Sequence, residues 1–535
     1  MDTMDRTKKV FGRITTLLVI FVLATAAWGA ACGADDTVGD GLEGAPANNG
    51  GGSGVGQSGA QDFGRFRSLV ESGDIPAPTT LDAVGFFNEH KFELPEPTCG
   101  DNVCVHGAFG VQGNMINGSN CTTLAVGFNT DLTPEDFQRP PLNMSIAIDT
   151  SGSMDGAPIN AVRNGLLLMA DELDEKDQIS LIEYSNEAEE IMRSTPENDP
   201  DREKLKQAIR NLHASGSTNL YDGLKKAGQT VIDNREEGSQ NRLILLSDGV
   251  ATEGITNRDR IVNLGMSYAE ESIGVTTIGV GQDFDLELMR RLSESGSGNF
   301  YFVEDLNSVE EIFSEEVKTF LVPLAEDISI NYDGSDAYQF RAAYGTRIWE
   351  GSPQRASIYI PSLFLASRQS VDDIGAGGGR RGGGGIILLE LVPTTDQTIL
   401  ENTPPGSEVG TIDFSYRKPG TEEFVEQSVT INNPLAPGDT PEEGEFENMT
   451  VEKSFVALNI YAGFKMATER AASGSSSAAL SILRPLADNV EMWLQENPDE
   501  DIEADHELML QLIDNIEETG AEEEVGQPPN PWPQD

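Results

Sequence analysis

Three short stretches carry side chains able to hold a divalent cation: Asp149-Thr150-Ser151-Gly152-Ser153, Ser217-Thr218-Asn219-Leu220 and Ser247-Asp248-Gly249. They offer two carboxylates, Asp149 and Asp248, and the hydroxyls of Ser151, Ser153 and Thr218. This is hard-oxygen chemistry. Mg²⁺ takes octahedral oxygen ligands, with one or two carboxylates completed by neutral oxygens and water. Two carboxylates balance a dication without over-neutralising it, so the ion keeps its attraction for an external anion. His and Cys, which softer metals prefer, are missing from all three stretches. Mg²⁺ is the expected ion, with Mn²⁺ or Ca²⁺ as alternatives.

Such residues act together only if the chain brings them to one edge. The pattern supplies that edge. Residues 142–149 form an apolar run ending in Asp149, and 243–246 form another ending at Ser247-Asp248. Further strand-like runs fall at 179–184, 273–280 and 299–303. Helical periodicity separates them at 158–173, 202–212, 220–233, 258–271 and 286–294, and closes the series at 309–321. Alternating strands and helices predict an α/β fold with a doubly wound, largely parallel, Rossmann-like sheet. Ligands of such sheets bind beyond the carboxyl ends of the strands, where Asp149 and Asp248 stand.

On these residues, 140–322 resembles a von Willebrand factor type A domain. Asp149, Ser151, Ser153, Thr218 and Asp248 match its metal-ion-dependent adhesion site position by position. The resemblance implies that the hydroxyls ligate the ion, that the aspartates bind it directly or through water, and that a carboxylate from a partner completes the shell. The stretch Arg65-Phe66-Arg67-Ser68-Leu69-Val70-Glu71-Ser72-Gly73-Asp74-Ile75-Pro76, with Val84-Gly85-Phe86-Phe87-Asn88, is similar to the region upstream of this domain in YfbK-type bacterial lipoproteins. Residues 99–121 depart from that layout. The layout implies that strands before and after the α/β domain share one sandwich, with the domain as an insert. A sandwich gripping helix 309–321 would then either sense ligand binding or act as a rigid spacer.

The N-terminus points to export. Arg6, Lys8, Lys9 and Arg13 precede an apolar run at 14–26, and Gly29-Ala30-Ala31 leads into Cys32. This reads as a signal peptide over 1–31. Small residues before a cysteine resemble the bacterial lipobox, with Cys32 as the lipidated residue, although Gly29 stands where that pattern has leucine. An ordinary cleaved leader and an uncleaved membrane anchor are the alternatives. Gly33 rather than aspartate follows Cys32, so the expected location is the outer membrane or cell surface. Residues 32–61 lack large apolar side chains almost throughout and read as a disordered tether. In an oxidising compartment one disulfide is expected among Cys99, Cys104 and Cys121, and spacing leaves the three pairings open.

The remaining chain divides into an N-terminal flanking segment (62–139), a β-sandwich-like region (323–435), a helical region (445–520) and a disordered tail (521–535). The glycine-rich stretch 375–385 lacks the Lys-Ser/Thr ending of a phosphate loop and reads as a surface loop. Residues 496–507 begin with EF-hand-like spacing, but Ile502 and Leu508 stand where that loop needs glycine and glutamate. With 89 acidic against 36 basic residues and a net charge of −53, the surface repels nucleic acid.

The expected function is metal-dependent binding of a protein or polymer that offers a carboxylate, from a lipid anchor in the membrane. An envelope scaffold whose metal is only structural is the alternative. Catalysis is a third reading with little to carry it. None of His90, His106, His213 and His506 lies within a nucleophile motif, and metal ligation accounts for both serines and both aspartates. His213, just before the Thr218 stretch, would either tune the site with pH or simply face solvent.

Overall fold

The computed structural model describes residues 54–61, 63–132, 140–281, 283–303, 312–313, 323–366 and 385–523. The leader, Cys32, most of the expected tether, most of helix 309–321, nearly all of the glycine-rich stretch and the end of the tail lie outside the described residues.

The α/β sheet has seven strands in the order Gly59–Ala60, Asn299–Val303, Ile273–Val280, Gln240–Ser247, Leu142–Asp149, Gln178–Tyr184 and Ala188–Ser194. All neighbours run parallel except the last pair, which is antiparallel. Every residue of Leu142–Asp149 and of Ile273–Val280 is buried, as a parallel sheet covered on both faces requires. The period of two decides which helices each face meets. Ile146, Ile148, Ile244 and Leu246 share a core with Ile159, Val162 and Leu166 of helix Ala157–Glu172. Ala147, Leu243 and Leu245 pack with Leu224 and Val231 of helix Leu220–Asp233. From Leu142–Asp149 the chain winds first to one side of the sheet and then, at Gln240–Ser247, to the other. The strand order therefore reverses between these two strands, and a crevice opens at their carboxyl ends.

The flanking segment is not a separate unit. Cys104–Gly113 and Asn120–Asn129 belong to a five-stranded sheet with Tyr338–Tyr344, Ile386–Pro393 and Glu445–Phe446. Leu124 faces Leu389 across this sheet, and the hydrogen-bonded register joins residues on either side of the α/β domain. A six-stranded sheet built on Pro323–Gly334 and Arg355–Ala366 packs against it through Phe109, Phe128, Ile328 and Phe414. The α/β domain is thus an insert between the two halves of one sandwich, so the division at 62–139 and 323–435 gives way to a shared core. Cys99 bonds to Cys104, with Cα atoms 5.6 Å apart. Cys121 is buried.

The tether is also shorter than the composition suggested. Gly54–Gln57 pairs antiparallel with Arg355–Ala366 of the sandwich, and Gly59–Ala60 pairs parallel with Asn299–Val303 of the α/β sheet. Gly59, at φ +113°, makes the change of direction between the two edges. Small side chains that read as disorder here fit two crowded sheet edges.

Helices Met449–Ala472, Ser476–Glu496 and Glu500–Glu523 form the third body, joined by Gly64–Glu71 and Ala83–Glu89 from the N-terminal side. Phe66 meets Phe464 at 5.3 Å between ring centres. Inside this body His90 bonds Phe86 O and Asp505, both at 2.7 Å. Among the described residues no helix is long and apolar enough to cross a membrane.

A buried ion cluster sits where the bodies meet. Asp82, at the N-terminus of helix Ala83–Glu89, pairs with Arg347 and lies 3.6 Å from Arg290 of the α/β helix Leu286–Ser295. Arg347 also reaches Glu294 of that helix at 3.7 Å. Burial pushes the Glu294 carboxyl up to about 8, against the pull of Arg290.

Candidate metal centre

Asp149 ends its strand fully buried, with backbone and side chains converging on it. The Ser151 N–H donates to Asp149 Oδ1 at 2.8 Å, and the Ser247 hydroxyl donates to Oδ2 at 2.8 Å. Ser247 ends the neighbouring strand, so this second bond ties the two strand ends together. The Ser151 and Ser153 hydroxyls lie 3.0 Å apart, and Ser153 donates to Asp248 Oδ1 at 2.8 Å. The side chains of Asp149, Ser151, Ser153 and Asp248 thus come together in one cluster.

Thr218 arrives from the third loop. Its backbone N–H donates to Thr252 Oγ1 at 3.1 Å, and its carbonyl accepts from Thr252 N at 3.0 Å. A Cβ added at Gly249 would lie 3.7 Å from Ser153 Oγ and 3.8 Å from Thr218 Oγ1, so both hydroxyls flank the same point. Asn219 caps helix Leu220–Asp233 by accepting from Asp222 N, and this fixes where the Thr218 loop ends. The loops are also pinned to each other, since Ser215 N donates to Thr150 O at 2.6 Å and Gly152 N to Gly216 O at 3.0 Å. All five expected residues, Asp149, Ser151, Ser153, Thr218 and Asp248, are therefore brought to one place.

The electrostatics match a cation site. Burial pushes the Asp149 carboxyl up to about 6, against the hydrogen bonds from Ser151 and Ser247, and Asp248 adds to the rise. Burial also raises Asp248, with Asp283 acting in the same direction. Among the described residues no lysine, arginine or histidine contributes to either shift. Two buried acids lie close together with only uncharged hydroxyl and backbone N–H donors beside them among the described residues, and a divalent ion is the charge that fits. The described residues contain no group of three or more His, Cys, Asp and Glu side chains placed to hold a metal. Hydroxyls would supply the remaining ligands of an ion held here. Ser151 and Thr218 are buried whereas Ser153 is exposed, so the floor is closed and the mouth is open to a ligand. Val250, half exposed, stands beside that mouth.

Ser247 and Tyr184 are the residues the motif did not single out. The Tyr184 hydroxyl donates to Leu246 O at 2.8 Å, while its carbonyl accepts from Thr150 N at 2.9 Å. A buried tyrosine therefore braces both strand ends of the candidate site. His213 is exposed in the loop after helix Glu203–Arg210, with Nδ1 beside Leu212 O.

Residues 143–315 match the sequence profile of the von Willebrand factor type A domain. Among curated proteins, the uncharacterized protein YfbK of Escherichia coli is 27% identical over 201 residues, covering 37% of this chain and 35% of YfbK. The uncharacterized protein sll0103 of Synechocystis is 29% identical over 180 residues, covering 33% of this chain and 41% of its own length. The chain thus matches well under half the length of these relatives. Among solved structures, a von Willebrand factor type A protein from Catenulispora acidiphila aligns over 76% of this chain and 89% of its own, at 15% identity and a TM-score of 0.49.

Proposed function

We infer that this chain, which carries a von Willebrand factor type A domain and resembles YfbK, binds a carboxylate-bearing protein or polymer through a divalent ion held by Asp149, Ser151, Ser153, Thr218 and Asp248. Domains of this type commonly carry such a metal site and mediate protein binding. The observation that carries the reading is the pair of buried acids joined through hydroxyls beneath an open mouth. When bound, the ion supplies an electrophilic centre for a ligand carboxylate. The chain's own residues set its charge and leave one side accessible. Mg²⁺ suits this donor set best, with Mn²⁺ and Ca²⁺ as alternatives.

The role is binding rather than catalysis. Ser151 and Ser153 bond to one another and onward to Asp248. Three of the four histidines bond elsewhere, His90 to Asp505, His106 to Asn129 and His213 to Leu212, and His506 lies on helix Glu500–Glu523 of the third body. We place the protein in the bacterial envelope, exported by its leader and anchored through a lipid on Cys32. Replacing Cys32 with Ser should move it from the membrane fraction to the soluble fraction. A variant that stays in the membrane fraction would remove the lipid anchor from the proposal.

The test of the site is a Mg²⁺ titration of the metal-stripped full chain beside Asp149→Ala. A ligand that binds only the folded state stabilises it by about 2.7 kcal/mol at about a hundredfold excess over Kd. Stabilisation of the wild type and none of the variant is the expected result. If Mg²⁺, Mn²⁺ and Ca²⁺ all leave the wild-type melt unchanged, the adhesion reading fails and the scaffold role replaces it.

A further inference from the structure

A groove of about 590 Å³ opens away from the metal centre, between the turn at residues 114–119 and helices Met449–Ala472 and Ser476–Glu496. Its size lies within the range of sites that bind small molecules or side chains. The floor is apolar, with Phe446 and Phe455 in ring contact at 5.4 Å and Trp493 beside them. Met492 stands at the lip with 56% of its surface exposed, unusually high for a large apolar side chain.

The rim has one sign of charge. Glu442, Glu443, Glu452 and Glu496 border the groove, and among the described residues no lysine, arginine or histidine lines it. Acidic residues are spread over the whole surface of this chain. Here, however, an acidic rim surrounds an apolar floor, and among the described residues none of the four carboxylates has an ion-pair partner.

The walls are fixed before anything binds. Met115 N donates to Asn459 Oδ1 at 3.0 Å, and Asn489 Nδ2 donates to Met115 O at 2.8 Å, which ties the turn to both helices. Trp493 Nε1 donates to Glu452 Oε1 at 2.8 Å, holding the indole in place. On the far side, Asn120 Nδ2 donates to Thr440 Oγ1 at 2.7 Å. A preformed groove loses little conformational freedom on binding, so more of the contact energy remains as affinity.

We propose that this groove is a docking site for a basic, amphipathic segment of a partner protein. An apolar side chain of the segment would fill the floor. A neighbouring arginine or lysine would lay its methylene stem along Trp493 and carry its charge to the rim. The same rim repels anionic lipid headgroups and acidic polymers, which leaves a cationic peptide as the occupant. The site is separate from the metal centre and needs no metal.

The experiment titrates the full chain with an amphipathic leucine/lysine peptide and, in parallel, with its leucine/glutamate counterpart. Calorimetry reports binding at near-physiological salt, with the change in tryptophan emission that is lost in Trp493→Phe as the local signal. Three rim pairs of ordinary surface strength together amount to about tenfold in affinity. Glu442→Gln, Glu443→Gln and Glu496→Gln combined should therefore weaken the leucine/lysine peptide about tenfold with an unchanged melting temperature. Three neutralisations elsewhere, Asp233→Asn, Glu236→Gln and Glu237→Gln, should change it by less than about twofold. That control matters because a chain of net charge −53 attracts any cation weakly. Asp149→Ala should leave the affinity unchanged. Three results would overturn the proposal: no binding of the leucine/lysine peptide, equal binding of the leucine/glutamate peptide, or equal weakening by the remote substitutions.

Discussion

Replacing Asp82 with Asn tests the ion cluster that joins the α/β domain to the rest of the chain. Asp82 is 1% exposed and Arg290 is 3% exposed, so both charges depend on each other rather than on water. Asn is nearly isosteric and keeps an acceptor for Gly85 N, which Asp82 Oδ1 caps at 3.0 Å. The substitution therefore removes charge alone, and it leaves the Arg290 and Arg347 guanidiniums without the Asp82 carboxylate that both approach. Losing one partner of a buried pair costs about 3–5 kcal/mol. We take the lower figure, about 3 kcal/mol, because Arg347 keeps access to water. Asp82→Ala should cost about 1 kcal/mol more through the lost cap. For a domain of this size the melting temperature moves by about 2–4 °C per kcal/mol. Asp82→Asn should then lower the calorimetric transition by about 6–12 °C, with Asp82→Ala slightly lower again. Adding Arg347→Met to Asp82→Asn should recover part of the loss, because it removes one uncompensated guanidinium. If Asp82→Asn melts within about 1 °C of the wild type, the cluster does not hold the bodies together and the reasoning fails.

The Glu294 carboxyl is pushed up to about 8 by burial, above its ordinary 4.5. The folded state therefore holds a proton that the unfolded chain has released between those values, so this group's contribution is full below about 4.5 and is lost as pH rises through about 8. Glu294→Gln should flatten the fall in melting temperature over that window, and an unchanged slope would show that the group does not titrate there. Gly223→Ala places a methyl 2.5 Å from the Tyr184 ring. Overpacking of this kind costs about 1–3 kcal/mol, and the displaced tyrosine should loosen both strand ends it braces. The variant should show a lower melting temperature together with weaker Mg²⁺ stabilisation, and a variant that melts like the wild type would separate Tyr184 from the site.

The cluster at the candidate metal centre was legible because its acids and hydroxyls are chemically conspicuous and sit next to strand ends. Asp149 and Asp248 each terminate an apolar run, and a βα unit places such ends at one edge without long-range information. The doubly wound, largely parallel character of the sheet followed from the same local alternation, although the antiparallel edge strand Ala188–Ser194 carries too little apolar pattern to show itself. The sandwich was harder to read. Its strands were visible one by one, but the pairing of Asn120–Asn129 with Ile386–Pro393 spans the entire inserted domain. Residues there are apolar in either register, so only packing selects the partner. Gly54–Gln57 was misread for the opposite reason: edge positions accept small side chains, and glycine and serine look the same in a tether as on a crowded edge. Ser247 escaped the ligand set because its work is indirect, holding Asp149 rather than offering itself to the ion.

The strap at residues 54–60 has a mechanical consequence. A pull between a ligand at the metal centre and the N-terminal side of residue 54 does not end on one fragile contact. It meets four register pairs on the sandwich edge and then two on the α/β edge, on either side of Ser58. Tension from one end of the chain thus reaches both sheets. Held by only these few pairs, the strap would be the first element to give way under such a load.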